Sequence, residues 1–355
     1  MAFTEGFVKK INLIGAGLIG VERMKAIQKL QKRSYPVVLQ HVFDPYQPNL
    51  KDYAATYGFK PLETIEEILA MPCDLLVIAC PHDVATDLTC RALIAGHKVL
   101  MEKPMGRFLK EAEAIGQSAA QGGLLWLGLN YRFMPGLARL RQDLAENRFG
   151  PLISLNMKLG HGGKPGDEKI WKLDPVRCGG GALLDPGIHL LDLVNYLLGE
   201  VPTVVSAQSW SGFWKTGIEE EVHLSFRLDQ TLIHLQVSVV TWISTFEVIV
   251  VGTDGYGKVI GRGRSYGPQV YRRGQRWGWL GGKSQTASEE EIVNDSCENS
   301  FADEIAAILG FPSMVEGIPV ELPQALELMR FYEQCRSAVM LNANMPEKPP
   351  LTVLI

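Results

Sequence analysis

Three side chains of this 355-residue chain have the types and neighbours that proton transfer needs: Lys103, Asp185 and His189. Asp185 and His189 close the segment Gly179-Gly180-Gly181-Ala182-Leu183-Leu184-Asp185-Pro186-Gly187-Ile188-His189. Its three successive glycines let the backbone come close to a neighbour. Asp185 reads as the N-cap of a helix with Pro186 at its first position. A spacing of four then sets the carboxylate and the imidazole on one side of the helix start. A carboxylate beside an imidazole orients the ring and favours its protonated form, which suits a general acid/base near neutral pH. The plainer reading is a capping aspartate and an ordinary helix histidine. Leu190, Leu191, Leu193 and Val194 bury most of that helix, however, and a buried histidine needs a partner or a task. Lys103 follows the apolar run Lys98–Met101 and precedes Pro104. If that run is a parallel strand, Lys103 stands where open α/β sheets bind ligands. From composition alone a surface lysine in a turn fits equally well.

A second constellation supplies a cofactor. Gly15-Ala16-Gly17-Leu18-Ile19-Gly20 follows the apolar run Val8–Ile14 and precedes a helical pattern through Met24, Ile27 and Leu30. The first glycine of such a loop permits the tight turn, the second lets a pyrophosphate approach the backbone, and the third lets helix and strand pack closely. The helix start then offers free N–H groups, from Leu18 onward, to the diphosphate. Asp44 ends the next apolar run, about 24 residues past Gly20. A carboxylate there accepts from a ribose 2′-OH and repels a 2′-phosphate. Pro45, Tyr46 and Gln47 add no cation, so NAD is expected in preference to NADP. The alternative makes Asp44 a turn residue before Pro45.

The elements that must position these groups follow from periodicity. Strands are expected at Val8–Ile14, Pro36–Asp44, Asp74–Cys80, Lys98–Met101 and Leu124–Leu129. Helical patterns lie between them, giving a doubly wound parallel Rossmann sheet over residues 1–129. Beyond Asn130 the texture changes. Leu152–Leu159, Thr203–Trp210, Glu220–Arg227, Thr231–Val240 and Thr245–Gly252 read as strands. Helices are expected near 187–198, 300–309 and 322–341. Residues 130–355 are therefore read as an α+β domain with an open, mostly antiparallel sheet that binds substrate and oligomerises. The segment 261–288, rich in Gly, Arg and Ser, reads as irregular or hairpin-like.

Composition excludes several classes. The net charge of −4 has no basic stripe, which argues against nucleic acid. The longest apolar runs are too short to cross a bilayer. The acidic Glu5 and the absence of a secretory pattern point to a cytoplasmic protein. The six cysteines form no CxxC pair and read as reduced thiols. His161, Asp167 and Glu168 have no metal-ligand spacing, so no metal is expected. No GxSxG elbow supports a serine hydrolase.

Taken together, these segments resemble the glucose–fructose oxidoreductase, inositol dehydrogenase and rhizopine-catabolism (Gfo/Idh/MocA) oxidoreductases. The resemblance rests on the glycine loop, Ala95-Gly96-His97-Lys98-Val99-Leu100-Met101-Glu102-Lys103-Pro104, Asn130-Tyr131-Arg132-Phe133, the segment ending at His189, and Val251-Gly252-Thr253-Asp254-Gly255. It implies a dehydrogenase acting on CH–OH groups with NAD(P). In that reading Pro81, His82, Glu102 and Lys103 line the cofactor site. Lys103 contacts the nicotinamide ribose and the reacting hydroxyl, and His189 accepts the proton beside Asp185. Two departures lie on the cofactor side. Ala85 stands where Pro-Asn-x-x-His would place a histidine, and Gly-Lys-His is reordered to Gly96-His97-Lys98.

The substrate is read as a sugar, polyol or nucleotide-sugar. Between the first strand of the second half and Asp185 lies a loop carrying Lys158, Lys164, Lys169, Lys172 and Arg177. With Arg132, it is a candidate for a phosphorylated substrate; the alternative is a solvated loop. Rival functions are an NAD-dependent glycoside hydrolase working by transient oxidation and elimination, a non-catalytic NAD-binding regulator, and a dehydrogenase of amino acids or biliverdin-like substrates. An open sheet with one bare face predicts a homodimer or homotetramer, with Trp210 and Trp242 near the contact.

Overall fold

The computed structural model describes residues 8–277, 289–294 and 297–343. Glu5, residues 278–288 of the Gly/Arg/Ser-rich segment and the Cys297 side chain lie outside what is described. The first half alternates strands and helices: β1 (Lys9–Ile14), α1 (Leu18–Lys32), β2 (Val37–Phe43), α2 (Leu50–Tyr57), β3 (Lys60–Leu62), α3 (Ile65–Ala70), β4 (Leu75–Ile78), α4 (His82–Ile94), β5 (Lys98–Glu102), α5 (Leu109–Ala119) and β6 (Leu124–Gly128). All four residues of β4 are buried, as a strand covered by helices on both faces requires. The start of α3 is a capping box, with Thr64 and Glu67 each holding the other's backbone N–H.

These strands form one sheet in the order β6-β5-β4-β1-β2-β3, all parallel. The strand order reverses across β1 and β4, which creates the crevice used by ligands in doubly wound sheets. The first residues of α1 and Lys103, just past β5, both stand at the carboxyl ends of the strands.

The second half begins with α6 (Pro135–Ala145) and β7 (Leu152–Gly160). It continues through α7 (Pro175–Cys178), α8 (Ile188–Leu198), β8 (Thr203–Trp210), β9 (Glu221–Leu228), β10 (Thr231–Ser238), β11 (Thr245–Gly252), β12 (Gly255–Ile260), β13 (Gln269–Gln275) and β14 (Glu289–Asn294). They build an eight-stranded sheet, β14-β13-β12-β11-β7-β10-β9-β8, in which only β7 and β10 pair in parallel. Strand β11 alternates half-exposed and buried residues, as a strand with one packed face must. Helices α6, α8 and α10 (Leu322–Ala343) pack against this sheet.

The chain then returns to the first sheet. β15 (Val320–Glu321) adds antiparallel to β6, and α9 (Ser300–Ile308) packs on α1, with Ala302, Ile305 and Ala306 in the core around β1. The division that assigned everything after residue 130 to the second domain did not anticipate this return. A two-residue strand carries too little local signal, and the helix expected at 300–309 does not show along the chain which sheet it packs on.

One buried ion cluster ties that return in place. Arg23 of α1 is completely buried. Its Nε donates to Glu102 Oε1 at 2.6 Å, and its Nη1 to Glu304 Oε2 of α9 at 2.6 Å. The guanidinium also lies 4.7 Å from the Phe301 ring centre. Burial pushes the Glu304 carboxyl up to about 7 despite Arg23. Arg23 falls on the face of α1 that carries Ala26, Ile27 and Leu30, so its charge has no solvent to turn to. Among the described residues, no helix is long and apolar enough to cross a membrane.

Replacing Arg23 with Met removes one member and strands two carboxylates, Glu304 buried and Glu102 half-buried at the cleft. The expected loss is about 3–5 kcal/mol of unfolding free energy, measured by denaturant titration. A loss below about 1 kcal/mol, the size of an exposed pair, contradicts this account of the cluster.

Candidate active site

The glycine loop is shaped by sterics that a side chain would violate. Gly15 has φ +93°, and a Cβ there would stand 2.4 Å from Ala79 O; one on Gly20 would stand 2.1 Å from Gly15 O. Gly17 differs: a Cβ on it meets nothing within 4 Å and would project into a cleft of about 1090 Å³. Gly17 is the N-cap of α1 and supplies no capping side chain. The first N–H groups of α1, from Leu18, Ile19 and Gly20, thus lack intrahelical acceptors, as at any helix start. Gly15, Gly17, Leu18 and Ile19 line the cleft, while Gly20 packs the helix against its strand. An open cradle beside free N–H groups fits a dinucleotide diphosphate.

Asp44 stands at the far rim of this loop. Its Oδ2 accepts from Ala16 N at 2.7 Å and its Oδ1 from Tyr46 N at 2.8 Å. The carboxylate therefore clamps the loop and still lines the cleft. Gln47 Nε2 donates to Ala16 O at 2.7 Å, closing the same turn. Pro81, His82, Glu102 and Lys103 line the other wall. His82 is held by Cys178 O at 3.0 Å and meets Trp171 edge-on at 4.8 Å. Burial brings its pKa down to about 4, so its imidazole is neutral at physiological pH.

At the inner end, the two halves of the chain meet through charge. Lys103 Nζ donates to Asp185 Oδ1 at 2.5 Å, and Lys172 Nζ to Asp185 Oδ2 at 3.0 Å. Burial opposes ionisation of Asp185. The two ammonium groups outweigh it and hold the carboxyl well below the usual carboxylate range. Asp185 in turn raises Lys172.

His189 is buried in the first turn of α8, stacked on Tyr131 with ring centres 3.9 Å apart and planes 5° from parallel. Its Nδ1 is buried without a hydrogen-bond partner among the described residues. Burial, reinforced by Lys103 and the Arg262 guanidinium, holds its imidazole well below the usual value; Asp185 opposes this only in part.

Three expectations are corrected here. Asp185 is not the N-cap of α8; that position belongs to Gly187. Nor does its carboxylate hydrogen-bond His189, because two lysines take both its oxygens, and its pull toward the imidazolium is outweighed by burial, Lys103 and Arg262. A spacing of four on a helix start does not apply where the aspartate precedes the helix by three residues. Arg132, expected to face substrate, turns inward: Nε and Nη2 grip Asp192 of α8 at 2.6–3.1 Å.

The cationic loop divides. Lys172 reaches the site through the short helical turn Trp171–Leu173, and Arg177 pairs with Asp83 at 3.0 Å on the cleft wall. Lys164 and Lys169 are exposed and take no part in the Asp185 cluster. No group of metal-ligand side chains is present among the described residues.

Sequence reasoning assigned no role to Tyr131, Trp171, Arg23 or Arg262. Arg23 carried a signal: a charged residue in the apolar stripe of a helix. Asp192 carried the same signal for Arg132. Arg262 lies in a loop with no periodicity to read.

Comparison with known proteins bears on the fold and the family. The chain is 29% identical over 193 residues to glucose-6-phosphate 3-dehydrogenase of Bacillus subtilis, covering 54% of each chain. It is 28% identical over 205 residues to inositol 2-dehydrogenase of Rhizobium meliloti, covering 56% of this chain and 57% of that one. The matches thus span little more than half the length of these curated relatives. Aldose–aldose oxidoreductase of Caulobacter crescentus, solved with glycerol, superposes with TM-score 0.77 at 21% identity, covering 94% of this chain and 98% of that one. Residues 9–131 match the oxidoreductase family with an NAD-binding Rossmann fold, and residues 137–257 match the GFO/IDH/MocA C-terminal domain. With both halves matched in order, the chain belongs to the Gfo/Idh/MocA oxidoreductase family.

Proposed function

We propose that the chain transfers hydride between NAD(H) and a secondary hydroxyl or ketone of a sugar, polyol or nucleotide-sugar, with His189 moving the accompanying proton. The observation that carries this reading is the Lys103–Asp185 pair in the wall of the glycine-loop cleft, with a buried, neutral His189 near enough to feel the charges of both. NAD, when bound, supplies the carbon that accepts or returns the hydride.

The chain's own groups supply the rest. A neutral imidazole can accept the hydroxyl proton during oxidation and return it during reduction. Stacking on Tyr131 fixes the ring plane, so the lone pair needs little reorganisation. The Lys103 ammonium, aimed by Asp185, stabilises negative charge developing on the substrate oxygen. Lys172 keeps Asp185 ionised and leaves Lys103 free to share its protons. The carboxylate of Asp44 on the rim favours a free 2′-OH over a 2′-phosphate, which supports NAD over NADP.

The names of the relatives support a sugar or polyol as the substrate class: inositol in one, a sugar phosphate in another. Assembly as a homodimer or homotetramer belongs to the same reading. Val205, Trp210 and Leu232 are well exposed on the second sheet, and Trp242 lies in the loop after β10. Assembly would cover such surface.

The central test follows NADH absorbance over a panel of sugars and polyols. Native chain is expected to turn over. His189→Ala and Lys103→Ala are each expected to lose about 10²–10⁴-fold in kcat/KM, with folding checked by circular dichroism. Full activity in His189→Ala overturns the mechanism. Glycoside cleavage without NADH accumulation would favour transient oxidation instead.

The pH profile gives an independent check. Because His189 is held well below its usual value, the base is already neutral at pH 6–7. The acid limb of kcat/KM for oxidation should therefore fall below the ordinary histidine range. An acid limb centred at about 6.5 or above contradicts a neutral, buried base.

Gly17→Val separates cofactor binding from folding. Its side chain has room in the free protein, so the thermal midpoint should stay within a few degrees, while NADH affinity measured by fluorescence falls at least tenfold. Unchanged affinity would rule out the diphosphate position.

A further inference from the structure

Arg262 is a cation with no assigned task. It follows β12 in a loop that is closed tightly on itself. Gly261 has φ +73°, and a Cβ there would stand 2.1 Å from Pro268 O. Gly263 N donates to Gly267 O at 2.7 Å. Two outside contacts anchor the loop: Arg264 pairs with Glu22 of α1 at 2.6 Å, and Ser244 Oγ donates to Ser265 Oγ at 2.9 Å. The Arg262 guanidinium is sandwiched by rings, 3.7 Å from the centre of Tyr266 and 5.4 Å from that of Tyr131. Tyr131 is the ring on which His189 stacks. Arg262 is therefore held one aromatic ring away from His189, and its charge acts on both His189 and His161.

The charges around this point do not balance. Lys103 and Lys172 share the single carboxylate of Asp185. Two other arginines near the site are neutralised, Arg132 by Asp192 and Arg177 by Asp83. Arg262 Nε is buried without a hydrogen-bond partner, and no carboxylate bonds its guanidinium among the described residues. A planar fork packed between aromatic rings with donors unspent suits one class of group well: a carboxylate or phosphate, which accepts two parallel N–H bonds. A half-buried guanidinium without a counter-ion is costly unless something supplies the charge.

We infer that Arg262 is a specificity-determining residue that binds an anionic oxygen group on the substrate, remote from the carbon that reacts. This rests on the sugar or polyol reading above and narrows it to acidic sugars, whether sugar acids or sugar phosphates. It also moves recognition of the charge from the loop lysines and Arg132 to the loop after β12.

The test is equilibrium binding by calorimetry to the NADH-saturated chain, so that it does not depend on turnover. The probes are D-glucose, D-gluconate and D-glucose 6-phosphate. Native chain is expected to bind at least one charged probe tenfold or more tighter than D-glucose, and which of the two identifies the group as carboxylate or phosphate. Arg262→Gln should reduce that ratio at least tenfold, and Arg262→Lys should keep part of it. Thermal unfolding confirms that each variant is folded. A second variant, Tyr266→Leu, loosens the ring sandwich and should reduce the ratio without removing the charge. Equal affinity for neutral and charged probes, or a ratio unchanged in Arg262→Gln, overturns the inference and leaves the sugar-oxidoreductase reading standing. Failure of the native chain to bind any of the three overturns both.

Discussion

One carboxylate carries more of this structure than its size suggests. Asp185 comes from the segment before α8 in the second half, and Lys103 from the end of β5 in the first. Their 2.5 Å contact joins the two halves at the point where the cleft ends. Apolar packing holds layers together without direction, whereas a charged hydrogen bond fixes one atom against another. Two lysines on one aspartate leave a surplus positive charge beside His189, and that surplus, with burial, keeps the imidazole neutral. The protonation state of the proposed base is thus set by a lysine–aspartate–lysine arrangement rather than by a carboxylate partner of its own.

The same logic recurs at a second junction. Arg23 draws Glu102 from β5 and Glu304 from α9 onto α1. Glu102 is the residue before Lys103, so the backbone that presents the lysine is gripped on both sides, by Arg23 behind and Asp185 in front. Such clusters contribute little to net stability, because desolvation offsets attraction, but losing one member is costly. They make position specific where a sheet end would otherwise flex. Arg262 departs from the pattern, since it has aromatic neighbours but no acid bonded to it among the described residues, and this is why it points to a ligand.

Much of the architecture was legible in the chain. Strand Thr245–Gly252 has the same ends by pattern and by structure, because alternating burial is a local property of a one-faced strand. The glycine loop was legible because much of its constraint is local: Gly15 has φ +93°, and Gly20 packs against Gly15 O five residues earlier. β15 was not legible, since two residues carry no period and their partner, β6, lies almost 200 residues earlier. The inward turn of Arg132 was hidden for a similar reason, although Asp192 within an apolar helix was a sign of it.

Most of the element order, the dinucleotide loop with its acid, and the list of residues able to move a proton were legible along the chain, short strands such as β3 and β15 excepted. These follow from periodicity, backbone sterics and side-chain chemistry, which neighbours along the chain decide. Only the tertiary structure decided which of those residues meet. It gave Asp185 to Lys103 and Lys172 instead of His189, sent Arg132 to Asp192, and brought Arg262 to the Tyr131–His189 stack. Charge pairing in a low-dielectric interior depends on distance through space, and residues 82 apart in the chain, such as Lys103 and Asp185, reveal no such distance until the sheets are folded.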